Sequence, residues 1–101
     1  MSTQLHQPIL VSYDISENKP RRQMTELLRD LGLMPVQKSV YFGYLSRAEI
    51  QALAREGRKL LNVDTDSLFW VRVDLPAVID HQCLGHKPLL DGLKPDGYAV
   101  L

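Results

Sequence analysis

The chain has 101 residues, 45% of them hydrophobic and 24% charged, with a formal net charge of zero. That length suits one soluble domain, and no apolar run approaches the roughly 20 residues needed to span a bilayer. The opening MSTQLHQP lacks the basic start and apolar middle of a secretion signal, and the single Cys83 cannot form an internal disulfide, so a cytoplasmic, reducing location is expected.

Neutrality conceals an uneven distribution. Residues 19–59 carry nine basic side chains against four acids, a local charge of +5, which leaves −5 for the remainder. A basic half in a neutral chain can still present a face to phosphates, although solvated helix faces give the same count.

In chain order, QPILVSYD reads as a strand that ends on Asp14. ISENKPRRQMTELLRDLGL reads as a helix, with Ser16 or Asn18 as its cap and Pro20 in the first turn. Met24, Leu27, Leu28 and Leu31 form its buried stripe, and Gly32 stops it. MPVQKSVYFGYL is a long second strand segment, with Gly43 as a place to bend and Ser39 within the strand. SRAE is a capping box of Ser46 and Glu49, opening a second helix whose apolar face includes Ile50, Leu53 and Leu60. VDTD is a turn, and SLFWVRVD a third strand. A short strand is expected around His81 to Leu84, and the tail carries turn signals at Asp91-Gly92 and Asp96-Gly97.

Two amphipathic helices cannot cover both faces of a four-stranded sheet. The expected architecture is an α+β, ferredoxin-like β-α-β-β-α-β sandwich over residues 1–78, with two helices on one sheet face. The other face, apolar and open, implies a partner, and a homodimer is the simplest one. Residues 79–101 are expected to form a C-terminal segment that contacts the dimer mate or another partner.

Chemistry-bearing motifs are few. There is no C-x-x-C, no H-E-x-x-H and no glycine-rich phosphate loop. His81, Cys83 and His86 lie close in sequence, but they are too few for a convincing zinc site. Asp64 and Asp66 read as turn formers. Trp70, Phe69 and Tyr41 can stack bases or fill a core or an interface. Asp14 has two readings: it can bond nearby backbone N–H groups in the turn after its strand, or it can face a metal. One carboxylate is too little for tight Mg²⁺ binding, but two across a dimer axis suffice. Arg21 and Arg22, just beyond, can grip phosphate oxygens.

Three segments together, VSYDIS with Arg22 following, LGLMPVQKSVYFGYLS and DTDSLFWVRV, resemble the CRISPR-associated protein two family. The matching positions are Tyr13, Asp14, Ile15, Arg22, Gly32, Gln37, Ser39, Val40, Tyr41, Asp66 and Ser67. The resemblance runs in order from residue 9 to 74. It implies a ferredoxin-like homodimer that takes part in spacer acquisition beside the CRISPR-associated integrase, protein one, and binds DNA or RNA. For some members it also implies Mg²⁺- or Mn²⁺-dependent endonuclease activity. Asp14 would then be the metal ligand, with Arg22 and Ser39 placing the phosphate as its catalytic companions. Lys19, Arg21, Arg22, Lys38 and Arg47 would bind nucleic acid. Many members carry an acid where this chain has Phe42. Two other roles are open: a non-catalytic DNA scaffold for the integrase, and a toxin-like RNase of the virulence-associated protein D kind, which shares the fold and the early aspartate.

Overall fold

The computed structural model of the chain describes residues 5–82 and residue 84. Their elements run β1 (Gln7–Asp14), α1 (Asn18–Asp30), β2 (Met34–Gln37), β3 (Val40–Leu45), α2 (Arg47–Leu60), β4 (Ser67–Arg72) and α3 (Leu75–Ile79). The four strands form one antiparallel sheet in the order β2-β3-β1-β4. This is the ferredoxin-like β-α-β-β-α-β arrangement, with β1 and β3 at the centre.

Alternation along β1 divides the sheet into two faces. Ile9, Val11 and Tyr13 point to the helices, where they meet Met24, Leu28 and Leu53 in the main core. The register places Tyr41 opposite Val11 on β3, and Trp70 opposite Val11 on β4, so these side chains share that face. The stripe read from α1 is the one it buries: Met24 and Leu28 are fully enclosed, and Leu27 and Leu31 pack at the margin. Replacing Leu28 with alanine would cost about 2–5 kcal/mol. The Tyr13 hydroxyl meets Thr25 Oγ1 at 2.9 Å, tying β1 to α1.

Helix ends follow the local sequence. At α2 the Glu49 N–H donates to Ser46 Oγ (3.2 Å), and the Ser46 N–H donates to Glu49 Oε1 (2.8 Å), which completes the capping box. α1 ends as expected at Gly32, which holds φ +85°, a conformation that glycine adopts without strain. Its start differs from expectation. Glu17 is the N-cap residue and makes no side-chain cap, so neither Ser16 nor Asn18 serves.

The segment expected to bend at Gly43 turns earlier, as a hairpin. Gln37 pairs with Val40, leaving Lys38 and Ser39 as a two-residue turn, and Ser39 takes φ +66°. Two-residue hairpins need positive φ, and here a serine supplies it where glycine or asparagine is usual. Gly43 lies straight within β3. A Cβ there would stand 2.6 Å from Leu33 Cδ2 and 3.2 Å from Leu33 Cα, so its role is close approach rather than bending.

The second sheet face is partly covered. Val36 and Phe42 pack with Val78 of α3, flanked by Leu10, Val40, Val73 and Leu75. α3 was not expected from the sequence; Asp74 precedes it, and Pro76 falls within its first turn. Beyond its reach, Phe69, Val71, Tyr44 and Met34 stay exposed on the same face. His81, Gln82 and Leu84 are not in a strand, and the rest of the expected C-terminal segment lies outside the described residues. No helix among the described residues is long and apolar enough to cross a membrane.

Candidate functional site

Asp14 is the last residue of β1. It shares the sheet face of Leu10 and Ser12, opposite Ser67 in the β1–β4 ladder. Its side chain is exposed and has no hydrogen bond or ion pair among the described residues. The turn-forming role that the sequence allowed for Asp14 is performed by Asp66. The Asp66 carboxylate accepts the Ser16 N–H at 3.1 Å, the Asn62 N–H at 3.0 Å and the Thr65 hydroxyl at 3.1 Å. It therefore closes its own turn and holds the chain between β1 and α1. These donors keep its carboxyl below the usual carboxylate range, the Asn62 N–H first and the Ser16 N–H next. Asp64 belongs to the same turn, its N–H donating to Asn62 Oδ1.

Ser39 reaches this end of the sheet through the hairpin turn. Its carbonyl accepts the Tyr13 N–H at 3.1 Å, which sets the turn beside the residue preceding Asp14. Lys38, next to it, is exposed. The two neighbouring arginines of α1 differ. Arg21 donates from Nη1 to the Ile15 carbonyl at 3.1 Å and from Nη2 to Asn18 Oδ1, so part of its guanidinium organises the loop after β1. Arg22 is exposed and unpaired among the described residues, as is Lys19. Chain order brings the start of α1, with Lys19, Arg21 and Arg22, and the Lys38–Ser39 turn to the end of the sheet where β1 finishes at Asp14, with Asp14 on the sheet face opposite α1. Arg47 is elsewhere: it opens α2, after the far end of β3, beside Gln7 at the start of β1.

The donor set bears on a metal. No group of three or more His, Cys, Asp or Glu side chains among the described residues converges on one point, so these residues offer no closed cage. A single free carboxylate fits half of a shared Mg²⁺ site, because that ion keeps several waters and takes one or two protein carboxylates. Of the His81, Cys83 and His86 group, only His81 is described; its Nδ1 lies 2.6 Å from the Val78 carbonyl oxygen. Phe42, which stands where many members of the resembling family carry an acid, is fully buried in the second core cluster and edge-on to Tyr44.

A concavity unforeseen from the sequence lies at the other end of the sheet. Gln7, Arg47, Ile50, Gln51, Trp70 and Arg72 line it. The shared parity of Trp70 and Arg72 was legible within their strand; their register with Gln7 on β1 and the start of α2 beside them were not.

Comparisons with known proteins identify the family and the fold. The family model described as CRISPR associated protein Cas2 matches residues 7–76. A CRISPR-associated endoribonuclease Cas2 of Francisella tularensis subsp. novicida is 40% identical over 72 residues, which are 71% of this chain and 73% of that protein. A fusion named as a Cas1 endonuclease joined to a Cas2 endonuclease, from Thermoproteus tenax, is 42% identical over 50 residues; these are 50% of this chain and 19% of the fusion. The crystal structure of a hypothetical protein from Thermus thermophilus superimposes with a TM-score of 0.71 at 31% identity, covering 83% of this chain and 96% of that one. With the matched model spanning β1 to the start of α3, the chain belongs to the CRISPR-associated protein Cas2 family.

Proposed function

We propose that this chain acts in CRISPR spacer acquisition as a homodimer that binds nucleic acid and hydrolyses phosphodiester bonds at a paired Asp14 site. The observation that carries the reading is the idle Asp14 carboxylate: exposed, at a strand end, and unused by the fold, while Asp66 beside it accepts three hydrogen bonds. Two copies of Asp14 across a two-fold axis would hold Mg²⁺ or Mn²⁺. Bound there, the ion would supply a water of lowered pKa and neutralise charge on the phosphate. Arg22 would orient the phosphate oxygens, and Ser39, held by its turn, would add a hydroxyl contact. Lys19, Lys38 and the remaining donors of Arg21 would hold the flanking backbone. The exposed apolar side chains of Phe69, Val71, Tyr44 and Met34 supply a surface that pairing would cover.

The names of relatives support the enzymatic part of the reading: the Francisella protein is called an endoribonuclease. The Thermoproteus fusion supports a Cas1-type integrase as the working partner.

The test is cleavage of labelled single-stranded RNA and duplex DNA with Mg²⁺ or Mn²⁺, comparing wild type with Asp14→Asn. Cleavage by wild type that chelator and the substitution both abolish supports the enzyme. Duplex binding without cleavage, equal in both proteins, replaces it with a scaffold that needs only the cations. Growth arrest on expression alone would move the reading to a toxin-like RNase.

A further inference from the structure

The concavity at the far end of the sheet has an unusual lining. It encloses about 910 Å³ between the start of α2 and the end of β4, within the range of small-ligand sites. Two arginines enter it from different elements, Arg47 at the first position of α2 and Arg72 at the last position of β4. Between them lies Trp70, half-buried and packed at the edge of the main core. Ile50 adds an apolar wall, and Gln7 and Gln51 add amides. Among the described residues no carboxylate lines it. Arg72 donates to the neutral Gln7 Oε1 at 3.3 Å, and the Arg47 side chain has neither hydrogen bond nor ion pair among the described residues. Glu49, two residues after Arg47, is taken up by the capping box and by His6 at 3.3 Å.

We propose that this groove binds an unpaired nucleotide of a nucleic-acid strand, with the base against Trp70 and its phosphates on Arg47 and Arg72. The chemistry selects that ligand class. Two unneutralised guanidiniums call for an anion with several oxygens. An indole beside them calls for a flat ring, and stacking on an aromatic is tolerant of base identity. The glutamine amides offer donors and acceptors to a base edge or a sugar hydroxyl. A fully paired duplex hides its base faces and cannot use the tryptophan. Gln7, Trp70 and Arg72 enter the groove from the helix-bearing side, while Val71, at its rim, belongs to the opposite face. The groove is distinct from the Asp14 end, which lies at the other end of β1. The proposal extends the nucleic-acid reading and uses no metal.

Trp70 is the only tryptophan in the chain, so its fluorescence reports this groove directly. The experiment titrates the full chain, in chelator, with four probes: a short single-stranded oligothymidylate, thymidine monophosphate, inorganic phosphate and a blunt duplex. The expected result is saturable quenching by the oligonucleotide, weaker quenching by the mononucleotide, and none by phosphate or blunt duplex. The double substitution Arg47→Gln with Arg72→Gln should weaken oligonucleotide binding at least about tenfold and lower its salt slope by about 0.7 for every phosphate it no longer neutralises. Anisotropy of a labelled oligonucleotide should fall for Trp70→Leu and hold for Trp70→Phe, with circular dichroism confirming that both variants are folded. Quenching unchanged in the arginine variant, or equal for duplex and single strand, overturns the proposal, and preference for the mononucleotide makes the groove a free-nucleotide site instead. Asp14→Asn should leave all of these signals in place. Loss of cleavage with intact quenching thus concerns Asp14, and loss of quenching with intact cleavage concerns the groove.

Discussion

Asp14 and Asp66 stand at adjacent places on one end of the sheet, since Asp14 pairs with Ser67, the residue that follows Asp66. Their oxygens meet different fates. Those of Asp66 accept two backbone N–H groups and a hydroxyl, and so fasten the 62–66 turn to the loop that follows β1. Those of Asp14 accept nothing among the described residues. An acid whose oxygens already hold a turn has fewer lone pairs to offer a ligand, whereas an acid left idle at a strand end costs little and keeps all of them. The contrast separates a structural carboxylate from a candidate functional one where composition and turn propensity could not.

Exchange of the two acids gives the largest expected effects. Asp14→Asn should lower metal-dependent cleavage by more than about 100-fold, beyond the loss typical of a group that merely supports a metal ligand, while leaving the melting temperature unchanged. An equal fall in melting temperature would make Asp14 structural as well. Next in size, Arg22→Gln combined with Lys38→Gln should weaken duplex binding and reduce its salt slope by about 0.9 for each phosphate left without its cation; filter binding between low and moderate salt reads this. Asp66→Ala should do the reverse of Asp14→Asn, lowering the melting temperature while retaining measurable cleavage. Ser46→Ala sets a scale for such losses, because it removes a buried cap from α2 and should cost about 1 kcal/mol in a denaturant titration.

The smallest effect is in acid. Asp66 holds its proton less tightly in the folded chain than an ordinary carboxylate does. Its contribution to stability is therefore complete above about pH 4, the ordinary carboxylate value, and fades as the pH falls through its own lower value. Denaturation followed below pH 4 should show a shallower loss of stability in Asp66→Asn than in wild type. An identical slope would mean that the turn bonds do not favour the ionised form.

Much of this was readable in the residues. The stripe of α1, the Gly32 stop, the Ser46–Glu49 box and the strand character of 7–14 and 67–72 are local patterns, and each formed as its pattern implies. The turn between β2 and β3 was misplaced at Gly43 because it uses Ser39 at positive φ, whereas Gly43 serves packing against Leu33. α3 was hidden because five residues carry too little periodicity to announce a helix. At the site, the placement of Asp14 at a strand end was legible. That Asp66 would take its turn-forming role was not, since that depends on a contact between residues 16 and 66. The Trp70 groove likewise depends on the meeting of α2 with the ends of β1 and β4.

The Lys38–Ser39 turn has a kinetic consequence. Of the three strand pairings, only β2 with β3 joins near neighbours in the chain; the others unite distant residues such as Val11 with Tyr41 and Val11 with Trp70. Distant pairings must first pay for closing long loops, and a short hairpin need not wait for them. The 34–45 hairpin is then the expected early event in refolding, and Ser39→Gly, by easing the positive φ, should speed it. Pulse-labelled amide exchange during refolding would show the hairpin amides protected ahead of those shared by β1 and β4; simultaneous protection would place the barrier in the whole sheet.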